Sequence, residues 1–309
     1  MKNSKDSGMI SRREMFTGGA LAALVPLAAC GSQQAGGGKS EGASAGRATR
    51  NMQLSLAAYS MRDFFKSGEM DLFEFIDWCA EMDLPGTELT SYYFKEGFDK
   101  AYLRELRRHA FRCGVTVSGT AIANDFCKPA GPELDAEVEN VRKWIDNAAE
   151  LFAPHIRIFA GKAPEGVDIK TAIAWCAEGI KRSLEYAAER GITLGLENHG
   201  GITARAVDHL EICRAVGEHP WFGVNLDTGN YQTNPYEELA MSAPLAVNVQ
   251  VKVLVSGADG KREETNLERI GKILLDAGYK GWVALEYEEE DPKVNIPKWI
   301  DRMKKTFGC

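Results

Sequence analysis

Apolar, β-rich runs recur along the chain at 54–58, 86–89, 115–121, 156–160, 193–197, 222–226, 247–252 and 281–286. Each is followed by a stretch with helical apolar spacing, such as 70–82, 99–113, 134–151 and 169–190. This alternation constrains the fold strongly. Parallel strands cannot be joined by a tight turn, and a helix is the usual crossover between them. In the C-terminal half, successive runs lie about 25 to 35 residues apart, the length of one strand–helix–strand unit. Eight such units in about 255 residues fit a closed barrel better than an open sheet. A doubly wound sheet usually carries a Gly-rich phosphate turn after its first strand. Here the first run passes into Ala58-Tyr59-Ser60-Met61-Arg62 without one. The expectation is one α/β domain, a (β/α)8 TIM barrel over residues 52–309. Gly114, Gly191 and Gly278 lie just past helix ends, where left-handed caps are favoured. Leu72, Phe75, Ile76 and Cys79 recur at helical spacing and read as core.

Four of these runs carry polar residues at or near their C-terminal ends: Glu197, Asp227, Gln250 and Glu286. In a parallel barrel such ends converge on one mouth, where active sites are built. Three carboxylates and a carboxamide gathered there would repel one another unless a cation lay between them. The pattern therefore predicts a divalent metal site. An all-oxygen set with three anionic donors favours a hard ion, Mn²⁺ first and Mg²⁺ second, over Zn²⁺. One acid alone would read more simply as a helix cap or a surface ion pair.

Residues 1–29 read as targeting sequence. Ser11-Arg12-Arg13-Glu14-Met15-Phe16 has the twin-arginine pattern, and a weakly apolar stretch, 17–29, follows it. That stretch is too short for a permanent bilayer span. It ends in Leu27-Ala28-Ala29-Cys30, which resembles a lipobox, making Cys30 the expected lipidation site. Residues 30–51, rich in Gly, Ser and Ala, read as a flexible linker. The expectation is export by the twin-arginine route and membrane attachment through Cys30 alone, on the periplasmic or cell-surface side. The formal net charge of −7 becomes more negative once 1–29 is removed, because that segment carries four basic and two acidic residues. Such a balance argues against nucleic acid as a partner. Beyond Cys30 there are six cysteines, with no C-x-x-C pair, so zinc ribbons and redox motifs are absent from the sequence.

The motifs Leu196-Glu197-Asn198-His199-Gly200-Gly201, Asn225-Leu226-Asp227-Thr228-Gly229-Asn230, Val249-Gln250-Val251-Lys252 and Ala284-Leu285-Glu286-Tyr287 occur in order at strand ends. Together they resemble the xylose isomerase-like TIM-barrel family, and within it the sugar phosphate isomerase/epimerase branch. The resemblance covers about residues 52–307. It implies one divalent cation held by Glu197, Asp227, the position of Gln250, and Glu286. The family pattern has histidine at the third position, so Gln250 departs from it and would bind through its carbonyl oxygen. The resemblance also implies that Glu197 and Glu286 move protons to and from a metal-bound sugar through an enediolate.

Neighbouring residues extend the expected site. His199, before Gly200-Gly201, is a candidate general acid/base or hydroxyl-binding group, or else a loop histidine bonded to backbone. Lys252 shares a strand face with Gln250. It could steady a developing enolate or form a buried salt bridge with an acid such as Glu286. Glu88, Tyr59, Asn124, Asp125 and Asn230 are candidate substrate-binding residues. The acidic run after Glu286 reads as mostly solvated loop, and His109, His155, His209 and His219 as residues of helices or connections with structural or exposed roles.

The leading functional reading is a metal-dependent sugar isomerase or epimerase. A second keeps the same proton abstraction, but the enolate expels an oxygen substituent from a 3-keto-glycoside, as a lyase or glycoside-cleaving enzyme. A third is a sugar-binding lipoprotein that does no chemistry. No arginine cluster is evident near the strand ends, which disfavours a phosphorylated substrate.

Overall fold

The computed structural model describes residues 52–257 and 260–308. The targeting segment 1–29, the linker 30–51, Cys30 and Cys309 lie outside the described residues. Strand β1 (Gln53–Ala57) leads through a 3-10 turn and the short α1 (Arg62–Ser67) into α2 (Leu72–Glu81). Then follow β2 (Gly86–Thr90), α3 (Lys100–Cys113), β3 (Thr116–Ala121), α4 (Pro132–Leu151) and β4 (His155–Ile158). The chain continues through α5 (Ile169–Arg190), β5 (Thr193–Glu197), α6 (Ala206–Val216), β6 (Phe222–Asp227), α7 (Pro235–Ser242) and β7 (Ala246–Val251). A short antiparallel hairpin, β8 (Leu254–Ser256) with β9 (Arg262–Glu264), precedes α8 (Leu267–Asp276), β10 (Trp282–Leu285) and α9 (Pro292–Phe307).

Eight parallel strands close into a barrel in the order β1-β10-β7-β6-β5-β4-β3-β2. The alternation of runs predicts this architecture, and the eight expected strands all form. The hairpin is an addition. Its three-residue strands are too short to leave a periodic signal.

Local chemistry fixes the helix ends. Asp71 caps α2, accepting from the N–H groups of Phe73 and Glu74, while Glu74 reaches back to the Asp71 N–H. Asp99 and Asp168 cap α3 and α5 in the same sense. Gly114 and Gly191 close those two helices with φ of 73° and 69°. The stripe Leu72, Phe75, Ile76 and Cys79 is buried against the barrel, as its spacing predicts. Cys79, Cys127, Cys176 and Cys213 are buried free thiols, and Cys113 is a partly exposed one.

The floor of the barrel sets the level of everything above it. His155 and Trp282 open β4 and β10, and their rings occupy the inside at that end. Gly119 and Gly195 face His155, and Gly86 faces Trp282, where any Cβ would overlap the ring. His155 is thus a buried strand residue, a correction to its expected place on a connection. Neither of its ring nitrogens has a hydrogen-bond partner, and burial first, then the Arg157 charge, pushes its pKa down to about 3. The ring is neutral filler.

Candidate active site

Above the floor, the barrel interior is polar. Gln250 donates from Nε2 to Glu88 Oε1 at 2.6 Å, and Asn248 donates from Nδ2 to Glu88 Oε2 at 3.0 Å. Strands β2 and β7 are not sheet neighbours, so these bonds cross the barrel. Asn225 completes the layer, donating to Gln250 Oε1 at 2.6 Å and accepting from Asn248 at 2.8 Å. Burial pushes the Glu88 carboxyl up to about 7, and the Glu286 charge adds to this. Arg157 and the two carboxamides restrain the rise. Two expectations change here. Gln250 has both ends of its amide engaged, so in this arrangement its carbonyl oxygen faces Asn225 within the layer. Glu88 is the acceptor of a buried carboxamide layer, not a sugar-binding group.

The next layer toward the mouth pairs carboxylates with cations. Arg157 Nε lies 2.9 Å from Glu197 Oε2, with both side chains buried. Lys252 Nζ lies 3.0 Å from Glu286 Oε1, 2.7 Å from Glu288 Oε1 and 3.5 Å from Asp227 Oδ2. The lysine thus forms the salt bridge to Glu286 and sits in a cage of three acids. Burial alone would lower its pKa, but Asp227, Glu286 and Glu288 carry it well above the ordinary lysine range. Burial raises Asp227 to about 7, with Lys252 opposing the rise. Glu197 is likewise raised well above the usual carboxylate range by burial; Arg157 opposes this, and the charges of Asp227 and Glu286 add to it.

Backbone clamps hold these groups in register. Asn198 accepts the Asp227 N–H at 2.8 Å and donates to the Asp227 carbonyl at 2.9 Å, locking the ends of β5 and β6 together. Thr228 Oγ1 accepts the Lys252 N–H, and the Gly229 N–H donates to Asp227 Oδ1. Asn230 donates from Nδ2 to Glu197 Oε1 at 2.9 Å, so it orients the candidate base. His199 packs against Phe159 with the rings tilted by 37° and their centroids 4.2 Å apart. Burial first, then Arg157 and Lys252, lowers its pKa, leaving a neutral ring at the mouth. The Tyr59 ring lies 5.9 Å from Lys252 Nζ.

Asn124 and Asp125 do not join this group. The Asn124 amide is spent on the Phe159 backbone, donating to its carbonyl and accepting its N–H. Asp125 accepts the Cys127 N–H and pairs with Lys128. Both are loop-shaping residues. Conversely, Arg157 and Glu288 belong to the site and are missing from the sequence reading. Arg157 has a signal: a charge in the middle of His155-Ile156-Arg157-Ile158, a strand otherwise suited to burial. Glu288 has none, because it sits in an acidic run whose pattern is that of a solvated loop.

Glu197, Asp227 and Glu286 fit a hard divalent cation by chemistry, being anionic oxygen donors at the C-terminal ends of β5, β6 and β10 on one rim. Asp227 Oδ2 is buried without a hydrogen-bond partner, which marks it as a cation-facing oxygen. The arrangement gives the central place to the Lys252 ammonium, and Gln250 does not complete the set. Among the described residues, the three carboxylates are not gathered within 4.8 Å of one another.

A closed (β/α)8 barrel with paired acids and cations at the C-terminal rim defines the architectural class of the chain. The chain belongs to the xylose isomerase-like TIM barrel family, whose profile it matches over residues 76–306. Its fold is similar to a D-psicose 3-epimerase from Clostridium cellulolyticum H10, crystallised with D-tagatose, with a TM-score of 0.69 and 14% identity. That match covers 84% of this chain and 100% of the other. A xylose isomerase domain protein from Planctomyces limnophilus gives 0.61 at 17% identity, covering 84% and 99%. A probable 3-DHS dehydratase from Bacillus anthracis gives 0.64 at 17% identity, covering 82% and 99%. Among curated proteins no sequence matches.

Proposed function

We propose that the protein is an enzyme acting on a small carbohydrate, which it isomerises or epimerises by removing a proton from a carbon next to a carbonyl. One observation carries this reading. Two buried carboxylates, Glu197 and Glu286, stand at the barrel mouth, each against its own cation at 2.9 and 3.0 Å. Environment-raised basicity suits Glu197 to accept a proton from carbon, where an ordinary carboxylate is too weak a base. Arg157 and Lys252 place fixed positive charge where an enolate oxygen develops. Asn230 fixes the Glu197 rotamer, and Phe159 and Tyr59 offer ring surface against a sugar. Glu197, Asp227 and Glu286 would hold a divalent cation, Mn²⁺ by preference, which when bound polarises adjacent carbonyl and hydroxyl oxygens.

A second outcome of the same abstraction is elimination of an oxygen substituent from a keto-glycoside. His199, exposed on the loop two residues after Glu197, supports it as a hydrogen-bond donor to a leaving oxygen, with solvent supplying the proton. The test is incubation with free and 3-keto sugars in heavy water with Mn²⁺. The expected result is deuterium on the carbon next to the carbonyl, and Glu197→Gln and Glu286→Gln should each slow turnover by about 10²-fold or more. Product of unchanged composition means isomerisation; a released leaving group means elimination. Conversion with no deuterium and no isotope effect at that carbon would refute the proposal. Tight sugar binding without conversion would replace it with a binding role.

A further inference from the structure

A second cluster of chemically active side chains lies in the outer helical layer. Asp77 on α2 and His109 and Cys113 on α3 bring one carboxylate oxygen, one imidazole nitrogen and one thiol sulfur within 4.8 Å of one another. His109 and Cys113 are one helical turn apart, so they share a face of α3, and Asp77 meets them from the neighbouring helix. Asp77 Oδ1 lies 2.7 Å from His109 Nε2, Cys113 Sγ lies 3.3 Å from Asp77 Oδ1, and Cys113 Sγ lies 3.7 Å from His109 Nε2.

The geometry separates two roles. A nucleophile–base–acid relay uses both ring nitrogens, one toward the nucleophile and the other toward the acid. Here sulfur and carboxylate both approach the same nitrogen, Nε2. Three ligand atoms therefore surround one point, as they do around a metal. Tetrahedral zinc, with bonds of about 2.0 Å to N and O and about 2.3 Å to S, sets ligand atoms about 3.3–3.6 Å apart. The two contacts to sulfur, 3.3 and 3.7 Å, lie within about 0.1 Å of that range. Only Asp77 must withdraw, by roughly half an ångström, and its side chain is half exposed, at 50%. Phe73 packs edge-on against the His109 ring at 5.3 Å and holds it in place.

We propose that Asp77, His109 and Cys113 form a binding site for a borderline-soft divalent cation of the zinc class, stapling α2 to α3. Solvent supplies the fourth ligand on the open side. Binding replaces the thiol proton by the metal: Cys113 loses one H⁺ to solvent as the sulfur–metal bond forms, with no change in oxidation state. The last turn of α3 lies at the end of the barrel opposite the strand C-termini, so this site is separate from the mouth. Its donor set also differs: the mouth offers oxygen only, and this site offers sulfur.

That difference supplies the test. Titration of the full chain with Co²⁺ should produce a thiolate-to-cobalt charge-transfer band and intense visible bands of a four-coordinate ion, both bleached by Zn²⁺. Cys113→Ser should abolish the charge-transfer band. His109→Gln, which leaves the thiol in place, should weaken Co²⁺ binding by about tenfold or more. Glu197→Gln should leave the band unchanged. A wild-type protein without the band, or a band that survives Cys113→Ser, would overturn the proposal, as would His109→Gln binding with wild-type affinity.

Discussion

Replacing Lys252 by methionine tests the electrostatic account of the mouth. The ammonium is 7% exposed and touches three carboxylates at 2.7–3.5 Å, of which Asp227 is fully buried and Glu286 nearly so. Methionine keeps most of the volume but removes the charge, leaving those carboxylates without a counter-ion. Breaking a buried pair from one side costs about 3–5 kcal/mol, because the remaining charge stays desolvated. At about 2 °C per kcal/mol for a domain of this size, Tm at pH 7 should fall by about 6–10 °C. The sign of the pH dependence follows. Losing Lys252 raises the folded-state pKa of Asp227 further above its unfolded value, because the ammonium no longer opposes the effect of burial. The penalty is therefore full above the new folded value and vanishes as pH falls to the unfolded value near 4. Differential scanning calorimetry of wild type and Lys252→Met between pH 4.5 and 8 should show the gap narrowing on the acid side. Added Mn²⁺ should narrow it at pH 7 by restoring positive charge. A gap under about 1 kcal/mol at pH 7, or one that does not change with pH, would show that the cage does not depend on the ammonium.

Two further predictions concern other parts of the chain. His209 is buried on α6 between the Tyr231 hydroxyl and the Leu196 carbonyl, and burial holds its pKa down to about 4, the carbonyl bond opposing. Below its unfolded value of about 6.5 the unfolded chain takes up a proton that the folded chain refuses, so stability falls, by about 3 kcal/mol at pH 4. His209→Gln should flatten that part of the denaturant-midpoint profile, and an unchanged acid limb would refute the assignment. At the N-terminus, we propose that Cys30 carries a lipid anchor after twin-arginine export. Cys30→Ala should abolish lipid labelling and release the protein from the membrane fraction, and identical fractionation and labelling would exclude the anchor.

The strand–helix rhythm by itself determined the barrel. Hydrophobic period and helix caps are local properties, written in neighbouring residues such as Asp71 with Glu74, and they survive without knowledge of tertiary contacts. The same rhythm placed Glu197, Asp227 and Glu286 at the mouth, because strand ends of a parallel barrel share one rim. Which partner each side chain takes there was decided only by the closed structure. Gln250 looks like a ligand from its strand position, yet closure brings Glu88 from β2 across the barrel to within 2.6 Å of its amide. Arg157 looks like an isolated charge until β4 lies beside β5 and its guanidinium meets Glu197. Lys252 becomes the centre of an acid cage only when the loop after β10 returns Glu288 to it. Asp77, His109 and Cys113 are unrelated positions until α2 packs on α3. Periodicity specifies which face a residue occupies. Charge compensation depends on distance in three dimensions, and that distance is set by barrel closure and helix packing.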